Sequence, residues 1–216
     1  EKKHGAHHNH PNVISKDPDI ATGAIAFFPE AAATRQGRLS FLTRKQGWFF
    51  FPLLFLVGLG LQIDSIKFIF QRAKVTHRWV EIPILVVRLS LLPVLAFTFL
   101  PWGMALAFIA VQLAVFGFYM GASFAPNHKG MPVLPADSRV DFFSRQVLTS
   151  RNISGGRFMD ILLGGLNRQA EHHLFPDMAR PQLDKAAVIV REFCAKHQVP
   201  YTETTLLQSY GIIVRY

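Results

Sequence analysis

Gly164-Gly165-Leu166-Asn167-Arg168-Gln169-Ala170-Glu171-His172-His173-Leu174-Phe175-Pro176 is the stretch whose reading decides the fold. Gln169, His172 and His173 stand at i, i+3 and i+4, so on a helix they share one face. Two adjacent imidazoles with a third polar side chain one turn back suit a metal ion, since imidazole is a good ligand for iron, zinc and copper. An isolated pair of this kind is more often surface polarity or a satisfied core group. A second cluster alters the balance. His4, His7 and His8 repeat the same spacing, followed by Asn9, His10, Pro11 and Asn12. Alone, that segment reads as a His-rich tail with adventitious metal affinity. Two copies of one spacing, separated by long apolar runs, are hard to obtain from two independent accidents.

The length of 216 residues suits one domain spanning 1–216. Half of the residues are hydrophobic and 20 are Phe, rich for a soluble domain and low for a chain wholly inside a membrane. The composition therefore predicts membrane helices with a substantial polar part. The net charge of +9 fits Lys and Arg near anionic head groups on the cytoplasmic side. No nucleic-acid partner is expected, because no basic stripe carries interleaved aromatics outside the apolar runs. Cys194 is the only cysteine, which excludes an internal disulfide and an iron–sulfur cluster bound by this chain alone.

His4-Gly-Ala-His7-His8-Asn-His-Pro-Asn resembles the second histidine box of the integral-membrane fatty-acid desaturases, and Gln169-Ala-Glu-His172-His173-Leu-Phe-Pro resembles their third. Glutamine in the first position, after Gly-Gly-Leu-Asn, is the form of the front-end, delta-6-like branch. Phe124-Ala-Pro-Asn-His-Lys-Gly130 and Gln146-Val-Leu-Thr-Ser-Arg-Asn152 are also similar to that branch, and the resemblance covers nearly the whole chain. It implies two non-haem irons held by His4, His7, His8, His172 and His173. His128 resembles the extra ligand that such enzymes carry just after the last span; its plainer role is an interfacial histidine. Gln169 stands where many relatives have His, and it either binds metal directly, binds through water, or orients the site. Asn127 could hold a metal-bound water. Neutral imidazoles leave metal charge uncompensated, so Glu171, Asp160 and Asp177 are candidate carboxylates in the outer shell, or else solvated surface acids. His10, His77 and His197 lie off the spacing and read as structural or surface residues.

Along the chain, Asp17-Pro18-Asp19 reads as a turn. Arg35, Arg38, Arg44 and Lys45 precede a first apolar run, Gly47 to Ile63, which is at the lower limit for a span. Asp64, Lys67, Arg72 and Lys74 follow it. Ile82 to Leu100 and Met104 to Met120, joined by Pro101-Trp102-Gly103, form a transmembrane hairpin over 82–121, since about 20 residues cross roughly 30 Å of hydrocarbon. Parity assigns the first run. Both His clusters reach one metal site only with an even number of crossings between them, so Gly47–Ile63 is expected in the interface or re-entrant; the alternative is three full crossings, which split the boxes across the bilayer. Arg88 then snorkels to the surface. Residues 122–216 form a cytoplasmic helical region, with Phe142, Phe143, Val147 and Leu148 on one apolar face. Residues 181–198 form an amphipathic helix, with Leu183, Ala186, Ala187, Val190, Phe193 and Cys194 on one side, packed on the metal-bearing core. The expected fold is thus an all-α membrane protein: a transmembrane helical hairpin, an interfacial helix and a cytoplasmic helical cap carrying the His boxes.

Taking hydrogen from an unactivated alkyl chain needs an oxidant made from dioxygen at a redox metal, and zinc has no redox chemistry. The resemblance therefore implies an oxygen-dependent desaturase that places a cis double bond in a fatty-acyl chain carried by CoA or a lipid. Electrons would come from a ferredoxin or a b-type cytochrome. The alternatives are a related hydroxylase or ketolase, and a non-enzymatic membrane protein that binds metal or haem. The family's first box, HxxxH, has no match. The chain opens on Glu1-Lys2-Lys3 directly before a motif, and it reads as the C-terminal part of a longer protein, inactive by itself.

Overall fold

Apolar runs set the long helices, and proline and glycine set their breaks. The computed structural model describes residues 2–21, 23, 25–70 and 77–215. Among these, the regular structure is helical apart from one pair of short strands and an isolated bridge between Val13 and Leu134. The elements run α1 (Lys2–Asn9), α2 (Pro29–Ala33), α3 (Arg38–Arg44), α4 (Gln46–Leu54), α5 (Val57–Phe70), α6 (Arg78–Phe99) and α7 (Trp102–His128). They continue with α8 (Phe142–Leu148), β1 (Asn152–Ser154), α9 (Gly156–Leu162), α10 (Gln169–Leu174), α11 (Leu183–His197), β2 (Glu203–Thr205) and α12 (Leu206–Arg215). The chain divides into two compact units, Glu1–Phe50 with Ser123–Tyr216, and Phe51–Ala122.

The second unit holds the apolar helices. α6 and α7 are each long and apolar enough to cross a membrane. Pro101 separates them, and Leu100 before it is extended, as the residue preceding a proline prefers. Almost none of either apolar window is buried by the chain itself; Trp79 is 90% and Phe99 77% exposed. Faces this apolar and this bare are what hydrocarbon solvates. α7 continues past Met120 to His128. The apolar run marks hydropathy, whereas the helix persists through Ala122, Ser123 and Ala125, which still tolerate helical backbone.

The first apolar run is not one straight rod. α4 and α5 meet at a 70° bend across a two-residue break, and α5 continues beyond Ile63 through Asp64 and Lys67 to Phe70. Arg72 and Lys74, the basic residues expected on its far flank, lie outside the described residues. Gly58 of α5 and Gly117 of α7 pack backbone to backbone. A Cβ on Gly58 would strike the Leu113 carbonyl, and one on Gly117 would strike the Gly58 amide. Small residues at such crossings let helices approach closely where no hydrophobic effect drives them together.

The first unit is built on α8, α10 and α11. Val147, Val190 and Cys194 form its core, with Phe143, Leu174, Val199 and Tyr201 packed around them. α11 buries Leu183, Ala186, Ala187, Val190 and Cys194, the face expected from the sequence, and touches α10. Phe193 stays half exposed while its ring meets Phe143 at 4.9 Å. β1 and β2 pair in parallel, Asn152 opposite Glu203. The end of α7 is fastened to α12: the Pro126 carbonyl accepts from Arg151 Nη1 at 3.0 Å and from Ser209 Oγ at 2.7 Å. The same Arg151 nitrogen reaches the Lys129 carbonyl, and Arg151 N–H donates to the Asn127 carbonyl at 2.7 Å.

The close α5–α7 crossing makes a direct prediction. Gly117→Val should destabilise the full-length protein by about 1–3 kcal/mol, the usual cost of overpacking. A lowered melting temperature in detergent, followed by size-exclusion chromatography, is the measurement.

Candidate metal centre

Neighbouring residues on a helix diverge by roughly 100°, so an adjacent His pair points two ways. α1 and α10 each carry such a pair, and the two helices use the divergence in the same manner. His4 and His8 of α1, one turn apart, meet His172 of α10; His7 of α1 meets His173 of α10 and His128 from the end of α7. Within each triad the ligand nitrogens all lie within 4.8 Å of one another. The triads adjoin, because the His8 and His173 rings stack at 4.4 Å between centroids. His7, His128 and His173 sit about 5 Å apart, at 4.8, 5.0 and 4.8 Å pairwise. All six rings belong to the first unit.

In the inner triad each ring is held by its Nδ1 atom. His7 Nδ1–H donates to both oxygens of buried Asp17 at 3.0 Å. His128 Nδ1–H donates to the Thr149 carbonyl at 3.0 Å. His173 Nδ1–H donates to Gln146 Oε1 at 3.1 Å. Gln146 cannot present its other end there, since its Nε2 is occupied donating to the His8 carbonyl. One buried amide thus clips both histidine boxes together and fixes the His173 tautomer. This pattern leaves Nε2 as the lone-pair nitrogen. His173 Nε2 is buried with no hydrogen-bond partner, as is His8 Nδ1. In the outer triad His4 and His8 share a hydrogen bond between their Nε2 atoms at 3.0 Å.

Burial pushes these imidazoles toward the neutral form. Desolvation, with His172 and His4 adding repulsion, lowers His8 to about 4. Desolvation, then His4 and Arg180, lowers His172 to about 4. His173 falls well below its ordinary value for the same first reason. Burial alone would raise the Asp17 carboxyl, but the hydrogen bond from His7 and the amides of Asp19 and Asn12 hold it below its usual range. Rings held toward the neutral form at His8, His172 and His173, unpartnered nitrogens on His8 and His173, and a carboxylate behind His7 make a donor set that fits a first-row transition metal in each triad. Iron is within that range.

The structure brings together His4, His7, His8, His128, His172 and His173. Gln169 joins the inner triad through its amide nitrogen, 2.9 Å from His128 Nε2. Asn127 stands behind it, its Nδ2 donating to Gln169 Oε1 at 3.0 Å. The other candidates lie elsewhere. Asp160 accepts from Asn167 Nδ2 at 2.6 Å. Glu171 is fully buried but faces away from the rings, accepting from Asn152 Nδ2 and Tyr201 Oη. Asp177 is exposed. His10, His77 and His197 join neither triad. The sequence marks Asp17 only as a turn residue. Its second role is not local in sequence, although Asp19 N–H does bond to its carboxylate as the turn requires. Gln146 and Thr149 stand inside a family-like motif, but no spacing rule assigns them to His173 and His128.

Comparison with known proteins gives the family. A family model described as fatty acid desaturase matches residues 1–205. The chain is 32% identical to a delta(8)-fatty-acid desaturase of Arabidopsis thaliana, over 92% of this chain and 47% of the relative. It is 27% identical to a delta(6)-fatty-acid desaturase of Caenorhabditis elegans, over 97% of this chain and 50% of the relative. It is 28% identical to an acyl-lipid (9-3)-desaturase of Borago officinalis, over 98% and 50%. The chain spans about half the length of these curated relatives. No solved structure matches it.

Two outcomes are expected at this site. Asp17→Ala should weaken metal binding by about 10–100-fold, the usual cost of losing an outer partner, read by chelator competition on the full-length protein. Stability should also depend on pH. The unfolded chain binds protons at His8, His172 and His173 near the ordinary 6.5, while folded His8 and His172 resist protonation until about 4. Protons therefore favour unfolding, and the melting temperature of metal-free protein should fall as pH drops from 6.5 toward 4.

Proposed function

Because the chain belongs to the fatty acid desaturase family, we propose that its full-length protein is an oxygen-dependent di-iron enzyme that places a cis double bond in a fatty-acyl chain. The observation that carries this reading is the meeting of six imidazoles from opposite ends of the chain in two adjoining triads. Two triads suit two metal ions better than one. Iron, when bound, supplies the dioxygen chemistry that hydrogen removal from an alkyl chain requires and that zinc lacks.

The chain's own residues hold and shield that centre. Asp17, Thr149 and Gln146 fix the inner rings so that each turns its Nε2 away from its anchor; at His128 that nitrogen meets Gln169 Nε2. Burial of His7 and His173 keeps water from those nitrogens. The reaction consumes one dioxygen, two electrons and two protons, and it yields the alkene and two waters. The electrons must arrive from outside, from a ferredoxin or a b-type cytochrome. The net charge of +9 favours an acidic donor, since complementary charge speeds encounter. The two long apolar helices support a membrane setting, and the net charge of +9 supports putting the histidines on the cytoplasmic face. The relatives' names support a fatty-acyl substrate, and the acyl-lipid names among them support a lipid carrier, with CoA the alternative.

Expression of the full-length protein in a host fed defined fatty acids tests the reading. Mass spectrometry should find products lighter by two hydrogens at one position. A product that gains oxygen instead would assign a hydroxylase or ketolase. His173→Ala should lower product by more than about 100-fold, beyond the upper end of outer-partner effects.

A further inference from the structure

Gln169 is the one member of the site whose chemistry its residue type leaves open. An amide has a donor end and an acceptor end, and only one of them can be a metal ligand. The hydrogen bonds around it decide which end faces the centre. Asn127 Nδ2 lies 3.1 Å from the Leu166 carbonyl and 3.3 Å from the Ser123 carbonyl. A carbonyl can only accept, so this corner of Asn127 must be its nitrogen. The atom of Gln169 that meets Asn127 Nδ2 at 3.0 Å must then be an acceptor, Oε1. Its Nε2 is left facing His128 Nε2 at 2.9 Å.

The same conclusion follows from the other end. His128 Nδ1 meets the Thr149 carbonyl at 3.0 Å, so Nδ1 carries the proton and Nε2 is the lone pair. A lone pair requires a donor from Gln169. Turning the Gln169 amide over would set N–H against N–H at Asn127 and oxygen against lone pair at His128. Gln169 and Asn127 are both buried, so no solvent relieves either clash.

We propose that Gln169 is a positioning residue that offers an N–H, not a carbonyl oxygen, to the metal centre, and that Asn127 fixes it in that orientation. This rests on the metal-centre reading above. The orientation does not depend on a metal: Asn127 is anchored to backbone carbonyls and holds the amide whether or not His128 gives its Nε2 lone pair to an ion. In the first position of its histidine box, this chain therefore supplies a hydrogen-bond donor where a histidine would supply a lone pair.

The test uses iron-loaded full-length protein, with iron content, the X-ray absorption spectrum of the iron and turnover as readouts. Gln169→Leu should keep its iron and an unchanged spectrum of directly bound atoms, while turnover falls roughly 10–100-fold, the range for a hydrogen bond in a charged site. Gln169→Glu, which exchanges the N–H for a second oxygen, should lose turnover to a similar extent. Loss of iron from Gln169→Leu, or full turnover in Gln169→Glu, overturns the proposal. Should either variant fail to fold, an experimental structure of the iron-loaded wild type still decides: Gln169 Oε1 bonded to iron overturns it, and Nε2 facing the centre supports it. A wild type that holds no iron overturns the proposed function itself, and this inference with it; iron present in the wild type but absent from Gln169→Leu overturns the inference alone.

Discussion

A neutral imidazole has one donor and one acceptor nitrogen, and a buried site must dictate which is which. That constraint organises the first unit. Each inner ring meets a group that can only accept: the Asp17 carboxylate, the Thr149 carbonyl, and Gln146 Oε1, whose amide is already committed at its other end. These acceptors come from the loop after α1, from the end of α8 and from within α8. Unless those segments are folded against one another, the histidines have no defined tautomer. The packing of α8, α10 and α11 around Val147, Val190 and Cys194 thus precedes the centre in the order of causes.

The division of labour between the adjacent histidines follows from helix geometry alone. His7 and His8 cannot face the same ion, nor can His172 and His173. Pairing one short helix with another therefore supplies five of the six rings, and His128 from the end of α7 completes the inner set. The inner set is buried and tightly fixed. The outer set is more exposed and includes His4, whose Nε2 meets His8 Nε2. Both sets arise from residues separated by more than 150 positions, which is why the site depends on the whole intervening fold.

Much of this was readable before any coordinates. The ligand histidines carry their own spacing, and the α11 face shows a helical period strong enough to place Leu183, Ala186, Ala187, Val190 and Cys194. The long apolar helices follow from hydropathy, though not their ends: α7 outlasts its apolar run because helix persistence and lipid solubility are different properties. What could not be read were partners distant in sequence. Asp17 looks like any turn aspartate, because its turn bond and its bond to His7 use the same carboxylate. Glu171 lies between Gln169 and His172 yet points to Asn152 and Tyr201, since the residue before a His on a short helix faces another way.

The fastening of Pro126 by Arg151 and Ser209 has a wider meaning. α12 lies beyond the stretch matched by the family model, and a carboxy-terminal extension is easily taken for a dispensable appendage. Here it grips the backbone one residue before Asn127 and two before His128. Removing α12 takes away Ser209 and so loosens the backbone that presents Asn127 and His128. A helix some eighty positions further along the chain thus shares in holding the histidine cluster.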